Sequence, residues 1–351
     1  MPEFCRHNRF VERCPICSRD LPDLPGVSKP GPGARRSASG AKAPGQRSGA
    51  RRGSTARGRR DGLRVYADGS QRQQDDGYSC ELVPGLRASQ DARRLADELA
   101  FASARLWELA TSPPGPYREA HELGQQRELE RASWLCFLIA YLSPAEGEAP
   151  FAGIAQAFAQ ADEIGGASGL DLDSLPLGPR TSHLQGAGSA TFDAYGAWVQ
   201  RNGGSQQSAF SGDPSWSPQR RFERVFERLA LPGLSRAARF ELLVLLGRLE
   251  LYQVSADSLH LAAGVTPAPG GAALVLLSEP VLAAAKRVFG IGDALNIERR
   301  AATLVQACGT PIEALELALF NWGAAERATL GMAADLNDEQ VQSEALAALG
   351  L

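Results

Sequence analysis

The sequence predicts an all-α protein, and three observations carry that expectation. From about residue 63 onward, apolar side chains recur at spacings of three and four, the period of helices buried on one face. No segment alternates apolar and polar residues at period two, which argues against a sandwich or a barrel. The apolar fraction of 44% and charged fraction of 22% suit a globular chain with a core to bury.

Composition also excludes classes. No apolar run approaches the ~20 residues of a membrane-spanning helix. The densest, "WLCFLIAYL" at 134–142, suits a buried helix. Charged and ligand-type residues stand where a signal peptide would have its apolar stretch, so the expected location is cytoplasmic. Six cysteines in 351 residues are then expected to be reduced rather than paired in a disulfide framework.

Residues 1–22 open with "MPEFCRHNRFVERCPICSRD", which places Cys5, His7, Cys14 and Cys17 close together. In Cys14-Pro15-Ile16-Cys17 a two-residue gap lets both thiolates turn onto one tetrahedral ion, and Cys5 and His7 supply the other two ligands. Three thiolates and one imidazole match a closed structural zinc site. So short a segment has no core, and ligation must supply its folding free energy. A redox pair would need a thioredoxin-like context that is absent here. Arg6, Arg9, Arg13 and Arg19 surround the ligands and are placed to meet phosphates.

Residues 23–62 form a linker. Its stretch 29–60 holds ten basic residues and no acidic one, which leaves 27 basic against 40 acidic side chains elsewhere. Rich in Gly, Ser, Ala and Pro, it reads as disordered, since it cannot bury enough surface to offset ordering. A basic arm beside a metal motif suggests a polyanion, most simply nucleic acid, as partner, and the alternative is a solubilising spacer.

A helical body is expected over 63–336, with a last helix within 337–351. "SQDARRLADELAFASARLWELA" starts at a capping Ser89 and repeats Leu95, Leu99, Leu106 and Leu109. "ELERASWLCFLIAYLSP" is a buried helix ended before Pro144. "FAGIAQAFAQA" puts Phe151, Ile154, Ala155 and Phe158 on one stripe. A loop over about 164–190 contains "GPRTSH", whose Arg180 and His183 are candidates for acid–base work or for gripping a base, against the plainer reading of a solvated histidine. Helices resume at "TFDAYGAWVQR", "PQRRFERVFERLA" and "SRAARFELLVLLGRLELY". Trp198, Trp216 and Trp322 are able to stack on a base, though tryptophans on helices are more often core.

The segment "AAAKRVFGIGDALNIERRAATLVQACGTPIEALELALFNWG" at 283–323 is the most informative. A helix ends near 289, Gly290-Ile291-Gly292 makes a tight turn, and Asp293 caps a helix whose stripe is Ile297, Ala301, Leu304, Val305 and Cys308. Lys286, Arg287, Arg299 and Arg300 flank the turn and suit phosphate. Thr310-Pro311-Ile312-Glu313 fits a capping box with Thr310 as cap. No P-loop, GxSxG or HExxH is present.

Helix, Gly-hydrophobic-Gly turn and helix together resemble the helix-hairpin-helix motif. "WLCFLIAYLSP", "LPGLSRAARFELLVLLGRL" and "VFGIGDALNIERRA" occur in the order found in helix-hairpin-helix DNA glycosylases. With the N-terminal zinc motif, the chain looks like the alpha-glutamyl/putrescinyl thymine pyrophosphorylase-like group of that superfamily, which is linked to hypermodified bases in phage DNA and to phage defence. The resemblance covers about 85–323. It implies a glycosylase-like helical fold whose hairpin amides approach a DNA phosphate, and an enzyme that flips a base and hydrolyses its N-glycosidic bond. Bifunctional members carry a lysine two residues after the second glycine. Ala294 stands there, so a monofunctional enzyme is implied. The superfamily's catalytic aspartate corresponds to Ile312 and Glu313, so Glu313, with Asp293 and His183, is a candidate catalytic residue. Two alternatives stay open: a non-catalytic zinc-containing DNA-binding module, and pyrophosphorylase-type chemistry on a modified thymine. Oligomeric state is not legible.

Overall fold

The computed structural model describes residues 74–164, 170–186, 188–263, 279–290 and 292–351. The four zinc-ligand candidates Cys5, His7, Cys14 and Cys17, the basic stretch 29–60 and Ile291 lie outside the described residues.

Among the described residues the protein is all-helical, with twelve α-helices and no strand. They are α1 (Ser89–Thr111), α2 (Gly115–Gln125), α3 (Leu129–Leu142), α4 (Ala152–Gln160), α5 (Gly188–Arg201) and α6 (Gln206–Ser211). They continue with α7 (Pro218–Arg228), α8 (Arg236–Arg248), α9 (Pro280–Phe289), α10 (Ala294–Ala307), α11 (Ile312–Gly323) and α12 (Glu339–Ala348). None of the described helices is long and apolar enough to cross a membrane.

Two sets of helices share one core. In the first, α1 packs against α11 and α12, and α9 and α10 pack against α11. In the second, α3 is the centre, touching α2, α4, α6 and α8. Each set has a helix buried on every side, α11 from Ile312 to Trp322 and α3 from Ala132 to Leu142. Such all-round burial needs a largely apolar sequence, which α3 supplies, while α11 also buries Glu313, Glu316 and Asn321 against polar partners. Around α3 runs an aromatic stack, in which Phe137 and Tyr195 rings lie 4.0 Å apart and Tyr195 and Trp198 rings 5.7 Å apart.

Helix α8 joins the sets through buried charges. Arg105 of α1 pairs with Glu241 of α8. Glu316 of α11 accepts from Arg236 of α8 at 2.5 Å and from Arg180 of the loop between α4 and α5 at 2.7 Å. Arg236 also lies 3.0 Å from Glu279. Burial pushes the Glu316 carboxyl up, but the two guanidiniums outweigh it and hold the group below its ordinary value.

Several local expectations change in three dimensions. The residue before α1 is Ala88, and the Ser89 amide and hydroxyl instead donate to Asp76, whose carboxylate lies upstream and satisfies the free helix end. On α4 the buried stripe includes Ala157, whereas Ala155 faces solvent. The capping box at Thr310 does not form: α11 begins at Ile312 after Pro311, and Glu313 turns to tertiary partners. Trp198 and Trp322 are core residues, each 2% exposed.

His260 follows α8 and stacks on Phe226 and Phe222, with ring centroids 4.6 and 5.4 Å away. Burial drives its imidazole down to about 4 from 6.5, against the pull of Asp257. The unfolded ring takes up a proton near pH 6.5 and the folded ring only near 4. Native stability is therefore expected to be complete above the unfolded value and to fall as pH drops between the two, by about 3 kcal/mol at most. Since the His260 φ is 53°, His260→Asn is the suitable control, because asparagine tolerates that conformation. Denaturation midpoints across this window should flatten in that variant, and an unchanged slope would rule out His260 as the source.

Candidate functional site

The turn between α9 and α10 is built as its glycine predicts. Gly290 closes α9 with φ of 84°, a value that a side chain would strain. Gly292 has no such need: a Cβ there would meet Asn296 and Ile297 at ordinary contact distances of 3.7 and 3.9 Å. Asp293 caps α10, accepting from the Asn296 amide at 2.9 Å and from its side chain at 3.1 Å. Its carboxylate is thereby engaged at the helix end.

A second glycine shapes the turn from outside. The Gly85 amide donates to the Val288 carbonyl at 2.9 Å. A Cβ on Gly85 would lie 2.1 Å from the Arg287 oxygen and 2.8 Å from the Gly290 nitrogen, so only glycine permits this approach. The Gly290 backbone thus packs against the segment preceding α1, with the exposed Lys286 close by on α9.

Between this segment and α9 opens a cavity of about 550 Å³, with Arg87, Asp91, Lys286, Arg287 and Trp322 among its walls. That volume falls in the range of small-ligand sites. The Arg287 guanidinium stacks over the Trp322 ring at 4.6 Å, and the indole N–H donates to the Asp91 carbonyl at 2.9 Å. Burial raises the Asp91 carboxyl above its ordinary value, although Arg287 and Arg94 pull the other way. A carboxyl lifted by its surroundings beside a cluster of cations is a candidate acid or base. A smaller cavity of about 250 Å³ shares Gly290 and runs along Gly292, Asn296, Ile297 and Arg300. Lys286, Arg299 and Arg300 are exposed.

The three carboxylate and imidazole candidates occupy different surroundings. Glu313 is buried and accepts from the Ala256 amide at 3.1 Å and from Arg248 at 3.4 Å, lining a third cavity of about 270 Å³ with Ser255. It follows the far end of α10 from the turn, and the 14 residues of that helix rise about 20 Å. His183 is buried rather than solvated. Its Nδ1 lies 3.2 Å from the Tyr141 hydroxyl and its Nε2 2.7 Å from Asp173, so both nitrogens are engaged in fixing the loop. Arg180 beside it is held by Glu316.

A second glycine turn joins α7 to α8 at Leu231-Pro232-Gly233-Leu234-Ser235, with Gly233 at φ of 75° and Ser235 as the cap of α8. Ser182 closes it, donating to the Gly233 carbonyl and accepting from the Ser235 amide, both at 2.7 Å. The turn at Gly290 borders two of the cavities described here.

Asp91 and Arg87 escaped the sequence reading. In "SQDARR" an aspartate in the first turn looks like a partner for the helix dipole, and only the fold brings it to α9. No protein-family model, curated protein or solved structure matches this chain.

Proposed function

We propose that this chain is a DNA-binding enzyme of the glycosylase type. It holds a phosphodiester backbone with Lys286, Arg87, Arg299 and Arg300 and takes an extruded base into the 550 Å³ cavity over Trp322. One observation carries the reading: the cavity joins a carboxyl of raised proton affinity, Asp91, to a rim of cations at the Gly290 turn. The chemistry is hydrolysis. Water adds to the sugar carbon as the glycosidic bond breaks, giving an abasic site and a free base. Asp91 delivers a proton to the departing base or, ionised, steadies positive charge on the sugar. Arg287, stacked on Trp322, fixes the side of the cavity against which the carboxyl works.

The experiment is incubation of the full chain with duplexes bearing unmodified or hypermodified bases, followed by mass analysis of released bases. Release of none of them would remove the enzymatic part of the reading. Lys286→Glu with Arg300→Glu should weaken DNA binding and lower the log–log salt slope by roughly 0.9 for each phosphate no longer neutralised. Parent affinity with an unchanged slope would take the turn off the DNA path.

The Cys5, His7, Cys14 and Cys17 set is proposed to hold one structural zinc beside the basic arm. Metal analysis of reduced, chelator-free protein should find one zinc per chain, absent from Cys14→Ser, and a metal-free parent would end that assignment.

A further inference from the structure

The cavity beside Glu313 takes no part in the DNA reading, and its walls are of another kind. Helix α8 contributes Val244, Gly247 and Arg248, the chain after it Val254 and Ser255, and the first turn of α11 Glu313. Glycine lets these walls meet, since a Cβ on Gly247 would lie 2.3 Å from the Val254 carbonyl oxygen. At about 270 Å³ the space falls below the ~300–1,000 Å³ of drug-sized sites, so it suits a smaller occupant. Three polar groups converge there. The Glu313 side chain is 6% exposed, and one of its oxygens accepts from the Ala256 amide. The other oxygen has only Arg248, at 3.4 Å, longer than a strong charge-assisted bond. Arg248, with its side chain 32% exposed, makes no other side-chain bond among the described residues. The Ser255 hydroxyl makes none among them.

A carboxylate so loosely paired keeps acceptor capacity, and the guanidinium keeps a fork of donors that matches a carboxylate. An anion and a cation side by side, next to two valines, complement a molecule with both charges on one carbon and a short apolar chain. We infer that this cavity binds a free α-amino acid with a small apolar side chain. The ammonium donates to Glu313, the carboxylate accepts from Arg248 and from the Ser255 hydroxyl, and the side chain lies on Val244 and Val254. An amine alone would set its charge against Arg248, and an acid alone would set its charge against Glu313. Because α8 and α11 belong to different helix sets, the ligand bridges the two sets and stabilises the fold by its binding. The assignment is independent of any action on DNA.

The test is calorimetric titration of the full chain with glycine, L-alanine and L-valine. Isobutylamine and isovalerate serve as valine without its carboxylate and without its ammonium. At least one amino acid should bind at a single site, and both analogues should bind at least about tenfold more weakly, the loss of a charged hydrogen bond. Arg248→Met keeps the side-chain stem, should unfold at the parent midpoint and should lose the binding. Ser255→Ala should weaken it by about three- to tenfold. The saturating amino acid should raise the unfolding midpoint of the parent and leave that of Arg248→Met unmoved. Absence of both heat and a midpoint shift with all three amino acids would overturn the site. Unchanged binding in Arg248→Met would put the ligand elsewhere and overturn it too. Either analogue binding as tightly as the best amino acid would show that one charge suffices and overturn the amino-acid assignment.

Discussion

Glu316→Gln is expected to destabilise the protein by about 3–5 kcal/mol, because it leaves buried cations without their counter-charge. Glu316 is 1% exposed, and its two oxygens divide between Arg180 and Arg236. Glutamine keeps the shape but presents an amide nitrogen to one guanidinium and no charge to either. Arg236 retains Glu279 at 3.0 Å, whereas Arg180 has no other ion pair among the described residues and only the Phe320 ring, 4.8 Å away. A domain of this size should lose about 10 °C in its unfolding midpoint. The combination Arg180→Met, Glu316→Leu and Arg236→Met should recover much of the loss, since replacing a whole buried ionic group by apolar residues is often neutral. A midpoint within about 2 °C of the parent for Glu316→Gln alone, the change that roughly 1 kcal/mol produces, would show that the junction of the two helix sets does not depend on this carboxylate.

Asp91→Asn should lower base release by about 10²–10⁴-fold, the range of a positioned proton-transfer group, with little change in DNA affinity. The substitution is nearly isosteric, and the main-chain carbonyl that receives the Trp322 N–H is unaffected. Because burial raises the Asp91 carboxyl, parent activity should depend on pH above the range of an ordinary aspartate, and that dependence should vanish in the variant. Glu313→Gln offers the contrast. Its carboxylate holds the Ala256 amide and Arg248, so stability should fall while turnover per folded molecule stays within a few-fold of the parent. Should Glu313→Gln abolish release and Asp91→Asn leave it intact, the catalytic assignment would pass to the carboxylate that the sequence resemblance favours.

Much of the architecture was legible because it depends on local pattern. The stripe Ile297, Ala301, Leu304 and Cys308 is buried as its spacing requires, and Asp293 caps α10 as an aspartate before a helix should. Expectations failed where a distant partner outcompeted a near one. Ser89 yielded the end of α1 to Asp76, and Glu313 left Thr310 for an amide 57 residues away. No expectation covered α2, whose start is marked by Pro114 and Pro116, proline being at home in a first turn. The site was half visible for the same reason. Gly290, Lys286 and Arg287 announce themselves as a turn with cations, whereas Asp91 and Gly85 reach that turn only when α1 docks on α11, and no periodicity encodes that docking.

That docking also sets a schedule for the protein's birth. The indole of Trp322 bonds to a carbonyl 231 residues earlier in the chain, so α1 leaves the ribosome long before the helices that cover it. At 5–20 residues per second the delay is roughly 10–50 s. The α3-centred set is closed within a shorter span of chain and is free to condense first, while α1 waits with its apolar face uncovered. Contacts of such high sequence separation slow folding and expose intermediates to aggregation. The cavity walled by Asp91 and Arg287 is then among the last features to exist, and a nascent chain halted before α11 would lack it.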